Sequence, residues 1–290
     1  MGIDFHAFNF LRYVASLGPF GDTITIGRQE LAMNPVALAS VVKPSAGYVP
    51  SVYCDNMLVD QFGASRVESI DNCDYEDATH VLDLCQPIPP ELQGRYDMVI
   101  DAGTTEHIFN APQALKSISQ LARPGGRIVH ILPANNYCGH GFWQFSPELF
   151  FSLYSEKNGY RDTQVFLASL ADKWRWFKVK PPRDGKRVNV LSLNELHVMV
   201  HTVRAGESFS HENVQQSDYV YEWATRTAEP EPIPAPSGLK ARIMNSKLIY
   251  DTLFPLYHRW YRLRSPERMS ARNPGLTPFD VRSLGTPARA

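Results

Sequence analysis

The sequence lacks several features that would assign it to a class of protein at once. Its four cysteines form no CxxC pair and no cysteine–histidine spacing typical of zinc. It contains no run of about 18 apolar residues, which excludes a transmembrane helix. The 29 lysines and arginines balance 30 aspartates and glutamates, so the basic excess that nucleic-acid binding needs is missing and we expect no nucleic-acid partner. The GxGxxG fingerprint of dinucleotide-binding enzymes is missing too.

The first residues also lack the signature of a secretory signal. Their apolar run has no basic region before it and carries an aspartate at position 4. We therefore expect a cytoplasmic protein with free thiols, either freely diffusing or peripheral to a membrane. The histidines show no metal-like grouping along the chain, so the sequence predicts no metal site.

What the sequence does contain is a regular alternation of strand-like and helix-like segments over residues 1–205. Apolar residues at helical spacing predict an N-terminal helix over 4–17, and further helices are expected at 35–42, 53–62, 111–122 and 146–157. Between them, β-rich runs predict strands at 22–26, 66–70, 78–84, 96–100, 127–132, 163–168 and about 193–203. This alternation predicts a doubly wound α/β domain with a mostly parallel sheet and helices on both faces, and the last two strands should form an antiparallel pair.

Beyond residue 205 the alternation fades. Residues 206–238 look like a connecting segment with a Pro-rich spacer, and residues 239–290 look like a helical extension rich in basic and aromatic side chains. Within it, residues 240–272 suit an anionic membrane surface, a helix that covers the sheet, or pairing with a second subunit. We favour packing, expect Pro255 to interrupt the helix, and expect weak order in the last 20 or so residues.

The ends of the predicted strands carry the residues best placed for chemistry, because ligands of an open α/β sheet bind at the carboxyl ends of its strands. Gly27 follows the first strand, Asp71 the second and Asp83 the third. An acid after the second strand can accept both hydroxyls of a ribose, and one after the third can accept an adenine amino group. The alternative is that each aspartate caps a turn.

The loop over residues 137–147 holds the other candidates. His140 lies between two glycines and is placed to act as a general base on a substrate hydroxyl; the alternative is that it caps a helix or packs on Trp143. Tyr137, Trp143 and Phe145 would form an aromatic wall beside it. His107 begins the helix after the fourth strand and is a second catalytic candidate, with a role in ordering that corner as the alternative.

In order and spacing, the segments TITIG, SID, LDL, YDMVIDAGTTEHI and LARPGGRIVHILP resemble the motifs of the class I S-adenosylmethionine-dependent methyltransferases, over roughly residues 22–200. The resemblance implies a Rossmann-like, seven-stranded sheet that binds S-adenosylmethionine. Asp71 would then bind the ribose and Asp83 the adenine side. The corner formed by Asp101, Ala102, Gly103 and Thr104 would lie near the sulfonium.

The first loop departs from the family pattern. The family has two or three glycines there, whereas this chain has only Gly27, followed by Arg28 and Gln29. Arg28 would either cover the methionine carboxylate of the cofactor or belong to a pocket that has been altered or lost.

The function that these patterns favour is metal-independent methyl transfer to a hydroxyl or amine of a small molecule, sugar or glycoconjugate, with a histidine as general base. The alternative is a degenerate methyltransferase fold that acts as a binding or assembly module. A nicotinamide-dependent oxidoreductase is a third reading, which the missing GxGxxG disfavours.

Overall fold

The computed structural model describes residues 2–207, 214–225 and 246–284. Its strands are β1 (Gly21–Ile26), β2 (Ala64–Asp71), β3 (His80–Val81), β4 (Tyr96–Ala102), β5 (Ala122–Asn135), β6 (Tyr160–Ser169), β7 (Arg175–Val179), β8 (Leu196–Arg204) and β9 (Leu276–Asp280). They form one sheet in the order β3-β2-β1-β4-β5-β8-β6-β7-β9. The predicted Pro-rich spacer at 229–238 lies outside the described residues.

The directions of the strands confirm the predicted α/β sheet and enlarge it. β3, β2, β1, β4 and β5 pair in parallel, and each pair from β5 to β9 is antiparallel. Only β8 and β7 therefore run against the common direction among the described strands. The predicted antiparallel pair is β8 with β6. The expected count of seven strands is wrong, because β7 and β9 extend the sheet to nine.

Helices cover both faces of the sheet, as a doubly wound fold requires. The described α-helices are α1 (Phe5–Ala15), α2 (Pro35–Val41), α3 (Asp55–Phe62), α4 (Ala111–Leu121), α5 (Pro147–Leu153), α6 (Ser217–Thr225) and α7 (Lys247–Arg264), of which α1 to α5 pack on the sheet. Because alternate side chains of a strand point to opposite faces, Met98 and Ile100 of β4 pack in the cluster with α1 and α3, whereas Val99 packs with α4 and α5. The sheet thus separates two apolar cores.

Local chemistry explains where several helices begin and end. The Asp4 side chain accepts a hydrogen bond from the Ala7 backbone N–H at 2.7 Å and caps α1. Gly63 ends α3 in the left-handed conformation, with φ of +68°, as its position after the helix predicted. The helix that begins after Ser146 ends at Leu153, earlier than the predicted residue 157.

The added strands come from regions that the sequence analysis placed outside the sheet. Residues 175–179 lie between the predicted strands at 163–168 and 193–203, and β9 comes from the predicted extension. They join the sheet because Trp176 of β7 is fully buried and stacks on Phe279 of β9, with ring centroids 5.6 Å apart. The predicted domain boundary at 205 therefore does not enclose the whole sheet, and the described part of the last 20 residues is ordered in β9.

The helix α7 does not cover the sheet. Its described side chains are exposed almost throughout, including Leu248, Leu256 and Trp260, and Pro255 lies inside the helix without ending it. For the described residues, the expectation that this helix covers the sheet is therefore wrong; pairing with a second subunit, the other form of packing that was expected, and binding to a membrane surface stay predictions. Among the described helices, none is both long and apolar enough to cross a bilayer.

A buried histidine of β8 should make the fold acid-sensitive. Burial, followed by the nearby Arg127, lowers the pKa of His201 to about 4, so His201 is neutral in the folded protein. Since the unfolded side chain has a pKa near 6.5, the unfolded state binds more protons between these values and stability falls as the pH falls from 6.5 to 4. We expect His201→Leu to remove about 2 kcal/mol of the loss between pH 7.5 and 4.5, measured by urea unfolding. His258→Leu, at an exposed position on α7, is the control. If His201→Leu and His258→Leu lose the same free energy of unfolding between pH 7.5 and 4.5, His201 is not the source of the acid sensitivity.

Candidate active site at the carboxyl ends of the strands

The winding of the sheet reverses at β1, because β2 and β3 lie on one side of it and β4 and β5 on the other. Ligands of doubly wound sheets bind outside the carboxyl ends of the strands at this reversal. The residues that follow β1, β2 and β4 therefore surround the candidate site.

The residues after β1 meet the corner after β4 closely. Gly27 has φ of +71°, and a Cβ atom there would lie 2.7 Å from Thr104 Oγ1. The Thr104 hydroxyl donates to the Ile26 carbonyl oxygen at 2.7 Å, and the buried Gln29 amide donates to the same oxygen at 2.6 Å. Glycine is thus needed at position 27 for the approach of Thr104, and the Gln29 side chain lies in the space above the end of β1.

The guanidinium of Arg28 is bound to other parts of the protein. It contacts the Asp55 carboxylate at 3.1 Å, donates to the Glu76 carbonyl oxygen at 2.8 Å, and lies 4.2 Å from the centroid of the Tyr53 ring. Arg28 therefore ties the start of α3 to the loop after β2. A role in covering the methionine carboxylate of a cofactor would require these contacts to break.

The two strand-end aspartates make local hydrogen bonds. Asp71 is half-buried and accepts from the Asn72 backbone N–H at 2.6 Å, whereas Asp83 is exposed and accepts from the Cys85 backbone N–H at 2.8 Å. Both bonds are typical of turn caps, the structural alternative for these residues. Their predicted roles in nucleoside binding stay predictions.

Asp101 lies inside the protein and does not face the crevice. Its carboxylate accepts from the Thr105 hydroxyl at 2.6 Å and from His130 Nδ1 at 2.8 Å, and His130 Nε2 lies 2.6 Å from the Tyr154 hydroxyl. Asp101, His130 and Tyr154 are almost completely buried. This Asp101–His130–Tyr154 chain of hydrogen bonds fixes the corner that follows β4. His130 belongs to the core, and direct contact between the Asp101 carboxylate and a bound cofactor would need this buried chain to open.

The rest of the corner turns the chain toward the site. Ala102 is buried at the end of β4, and Gly103 has φ of +91°. A short 3-10 segment over Thr105–His107 follows. The turn sends Glu106 inward, where its side chain is fully buried, and leaves His107 half-exposed.

The loop with His140 folds back onto Glu106. The backbone N–H of Phe142 donates to the Glu106 carbonyl oxygen at 2.7 Å, and a Cβ atom at Gly141 would lie 2.8 Å from that oxygen. The Trp143 indole N–H donates to the Ile108 carbonyl oxygen at 3.0 Å. As a result His140 Nε2 lies 3.5 Å and His107 Nε2 3.8 Å from Glu106 Oε1.

We call Glu106, His107 and His140 the carboxylate–histidine cluster. Burial, followed by the charge of Asp101, raises the pKa of Glu106 to about 8. Burial also lowers the pKa of His107 and of His140 below the usual value, so both imidazoles are neutral at pH 7. Neutral imidazoles can accept a proton or bind a metal ion.

Tyr137 lies beside this cluster. Its ring stacks on His197 at 5.6 Å between centroids and lies 5.8 Å from His140. Its buried hydroxyl has no hydrogen-bond partner within the described ranges, and burial lowers the pKa of His197 to about 4. Phe145 and Trp143 do not form the predicted aromatic wall with Tyr137. Phe145 packs into the core against Phe150, and Trp143 is partly exposed.

The structure thus groups some predicted site residues and separates others. It brings His107, His140 and Tyr137 together, and it places Gly27 against Thr104; Asp83 lies at a turn and Arg28 is held elsewhere. Sequence analysis did not assign a role to Glu106, His197 or Tyr154. For Glu106, the signal available in the sequence was its position next to His107 in the segment YDMVIDAGTTEHI.

Two cavities lie away from this edge of the sheet. One, of about 720 Å³, opens near the amino-terminal ends of β1 and β4 and is lined in part by Gly18, Arg123 and His201. The other, of about 420 Å³, lies beside Arg175 and Leu191. Neither is lined by the carboxylate–histidine cluster.

Among known proteins, solved structures are similar to this chain. No protein-family model matches the chain, and no curated protein matches it. A SAM-dependent methyltransferase from Thermotoga maritima is 15% identical, with a TM-score of 0.37 over 69% of this chain and 91% of its own. The 1,6-didemethyltoxoflavin-N1-methyltransferase of Burkholderia thailandensis, solved with S-adenosylhomocysteine, is 12% identical, with a TM-score of 0.38 over 70% of this chain and 78% of its own.

A Rhodobacter sphaeroides protein assigned to the zinc-dependent alcohol dehydrogenases also matches, at 18% identity and a TM-score of 0.28, over 43% of this chain and 46% of its own. The methyltransferases among these structures belong to the family that the sequence resembles.

Proposed function

We propose that the protein is an S-adenosylmethionine-dependent methyltransferase that acts on a hydroxyl or amine of a small molecule, a sugar or a glycoconjugate. The observation that carries the proposal is the carboxylate–histidine cluster at the carboxyl ends of the strands, next to the reversal of winding at β1. The two neutral imidazoles can take a proton from an acceptor group, beside the buried side chain of Glu106.

The residues around β1 fit the cofactor through an unsatisfied polar atom. Gln29 Oε1 is buried and has no hydrogen-bond partner in the parts of the chain that the structure describes. It is a free acceptor for the ammonium group of a methionine moiety, while Asp71 at the end of β2 would accept from the ribose hydroxyls. Gly103, with its left-handed backbone, would let the cofactor approach the corner after β4.

When bound, the cofactor supplies an electrophilic methyl group, and the protein has to align the acceptor with it and remove a proton. His140 is the base that the sequence analysis favoured, and Glu106 lies 3.5 Å behind it. Tyr137 would form one wall of the acceptor site, with His107 opposite. This arrangement suits a small acceptor.

Binding of S-adenosylhomocysteine tests the proposal. We expect calorimetry to detect binding to the wild type and at least about tenfold weaker binding to Asp71→Ala, since a hydrogen bond to a charged group contributes about 1.5–3 kcal/mol. Asp74→Ala, an exposed aspartate three residues along, should bind as the wild type does. The absence of binding at millimolar ligand would contradict the proposal.

A second function is favoured by the packing after β1. The Gln29 amide bonds Ile26 and Thr104, and Arg28 is held by Asp55, which together narrow the space that a cofactor needs. The protein would then be a binding or assembly module on a methyltransferase-like fold. This alternative predicts that the wild type fails to bind S-adenosylhomocysteine and that Gln29→Ala gains binding.

A further inference from the structure

We propose that Glu106, His107 and His140 form a binding site for a divalent transition-metal ion, with zinc as the best match to the donor atoms. The inference concerns a ligand set that the sequence analysis did not find, because the three residues come together only in the folded chain. Binding itself does not depend on methyl transfer; the catalytic role suggested below rests on the proposed function.

The donor atoms already lie close together. One atom from each residue forms a group in which all separations are within 4.8 Å, with Glu106 Oε1 3.5 Å from His140 Nε2 and 3.8 Å from His107 Nε2. Ligands about 2.1 Å from a tetrahedral zinc ion are ~3.4 Å apart. Small side-chain rotations therefore suffice to bring these donors to a common centre.

The state of Glu106 points to a missing ligand. The side chain is fully buried, and neither carboxylate oxygen has a hydrogen-bond partner among the residues that the structure describes. Buried polar groups in folded proteins are almost always paired, because an unpaired buried carboxyl group is costly in either protonation state. His140 Nε2 is likewise buried and unpartnered over the same ranges. A cation between them would satisfy both groups at once.

The backbone holds the site in place. The loop over residues 140–143 is bound to the segment after β4 by the hydrogen bonds from Phe142 to Glu106 and from Trp143 to Ile108. Gly141 permits this contact, since a side chain there would meet the Glu106 backbone. The ligands are therefore positioned by two tethered segments, and binding need not order a free loop.

The types of ligand in the site favour zinc, and the exposure of the two histidines leaves the metal position open to solvent. Two imidazoles with one carboxylate match the His₂Glu ligand set of catalytic zinc, whereas magnesium prefers oxygen ligands alone. The side chains of His107 and His140 are about half and one third exposed, with relative areas of 48% and 36%. A fourth position toward solvent would take water or the hydroxyl of an acceptor.

A cation at this position changes the role predicted for His140. A metal ion lowers the pKa of a hydroxyl that it binds, so an acceptor hydroxyl at the fourth position would lose its proton to solvent water at neutral pH. His140 would then act as a ligand, and the metal-free mechanism predicted from the sequence would be replaced.

The test is titration of the full-length, metal-stripped protein with Co²⁺, which absorbs visible light when bound by nitrogen and oxygen ligands in a low-symmetry site. We expect one Co²⁺ per chain, displaced by one Zn²⁺, and at least about 100-fold weaker binding in Glu106→Gln and in His140→Ala. His258→Ala, on α7, and Cys138→Ser, two residues before His140, should bind as the wild type does. Circular dichroism melting of Glu106→Gln checks that the fold is kept.

Each contrary result has a definite meaning. The proposal is overturned if Co²⁺ binds to both Glu106→Gln and His140→Ala as it does to the wild type. It is also overturned if Co²⁺ binding is lost in Cys138→Ser or His258→Ala. Either result would place the metal elsewhere. Failure to bind Co²⁺ or Zn²⁺ at micromolar concentration would overturn it too. Binding of S-adenosylhomocysteine is measured separately, so a protein that binds the metal without it retains this site and contradicts the proposed function.

Discussion

Asp101→Ala is expected to lower the free energy of unfolding by about 3–5 kcal/mol, because it removes the buried acceptor at the inner end of the Asp101–His130–Tyr154 chain. The substitution would leave the Thr105 hydroxyl and the His130 Nδ1–H buried without their acceptor. The backbone N–H groups of Thr104 and Thr105, which lie 3.3 and 3.2 Å from Asp101 Oδ1, would lose theirs as well. Urea unfolding at pH 7.5 measures the change.

Asp83→Ala is the control for this prediction. Asp83 is also a strand-end aspartate, but it is exposed and accepts one local hydrogen bond, so its loss should stay within about 1 kcal/mol. If the two variants lose the same stability, Asp101 does not hold the corner after β4. Tyr154→Phe, which removes only the outer hydrogen bond, should lie between them, with a loss of about 1–2 kcal/mol.

Trp176→Ala is expected to cost about 3–5 kcal/mol as well, for reasons of packing. Trp176 is fully buried, stacks on Phe279 and meets Phe10 and Phe166 edge to face. Its indole N–H also donates to His6 Nδ1 at 3.0 Å, so the truncation leaves a cavity and an unpaired acceptor. The measurement is again denaturant unfolding.

Trp174→Ala is the control, because it removes the same type of side chain from a more exposed position. Trp174 lies two residues earlier and is 43% exposed, so its removal should cost less than about 1 kcal/mol. A large loss for Trp176 and a small one for Trp174 would support β7 as part of the core. Similar small losses in both variants would mean that residues 175–179 are not an integral strand.

The parallel half of the sheet could be predicted because its strands are short runs rich in β-branched and apolar residues that end at polar corners. The β1, β4 and β5 segments have this pattern, and each was expected close to its observed position. β3 shrinks to His80–Val81, and β5 extends beyond its apolar centre, since strand ends depend on partners that the sequence does not display.

The edge strands could not be predicted for a physical reason. In β7, Trp176 and Phe177 are both buried while Arg175 and Lys178 are exposed, so no period of two appears. β9 contains a proline, which occurs in edge strands but disfavours the prediction of a strand from the sequence. β9 finds its partner β7 across a long stretch of chain, whereas β7 also pairs with the neighbouring β6.

The candidate site was predictable only in part. The position of His140 in a glycine-flanked loop and of His107 after β4 indicated polar chemistry at this edge. Their meeting with Glu106 depends on Gly141 lying against the Glu106 backbone, a contact between segments more than thirty residues apart. Burial of Glu106 and of Asp101 follows from packing, which spacing along the chain does not reveal.

The pairing of β9 with β7 has a consequence for the kinetics of folding. Among the described residues, none between β8 and β9 belongs to a strand of the sheet, and the contact of β9 with β7 joins segments far apart along the chain, so it should form late. Until it forms, β7 is an open edge whose backbone groups and Phe177 are available to another molecule. Refolding at high protein concentration should therefore favour aggregation through this edge, and a peptide spanning residues 274–284, added in excess during refolding, should suppress it.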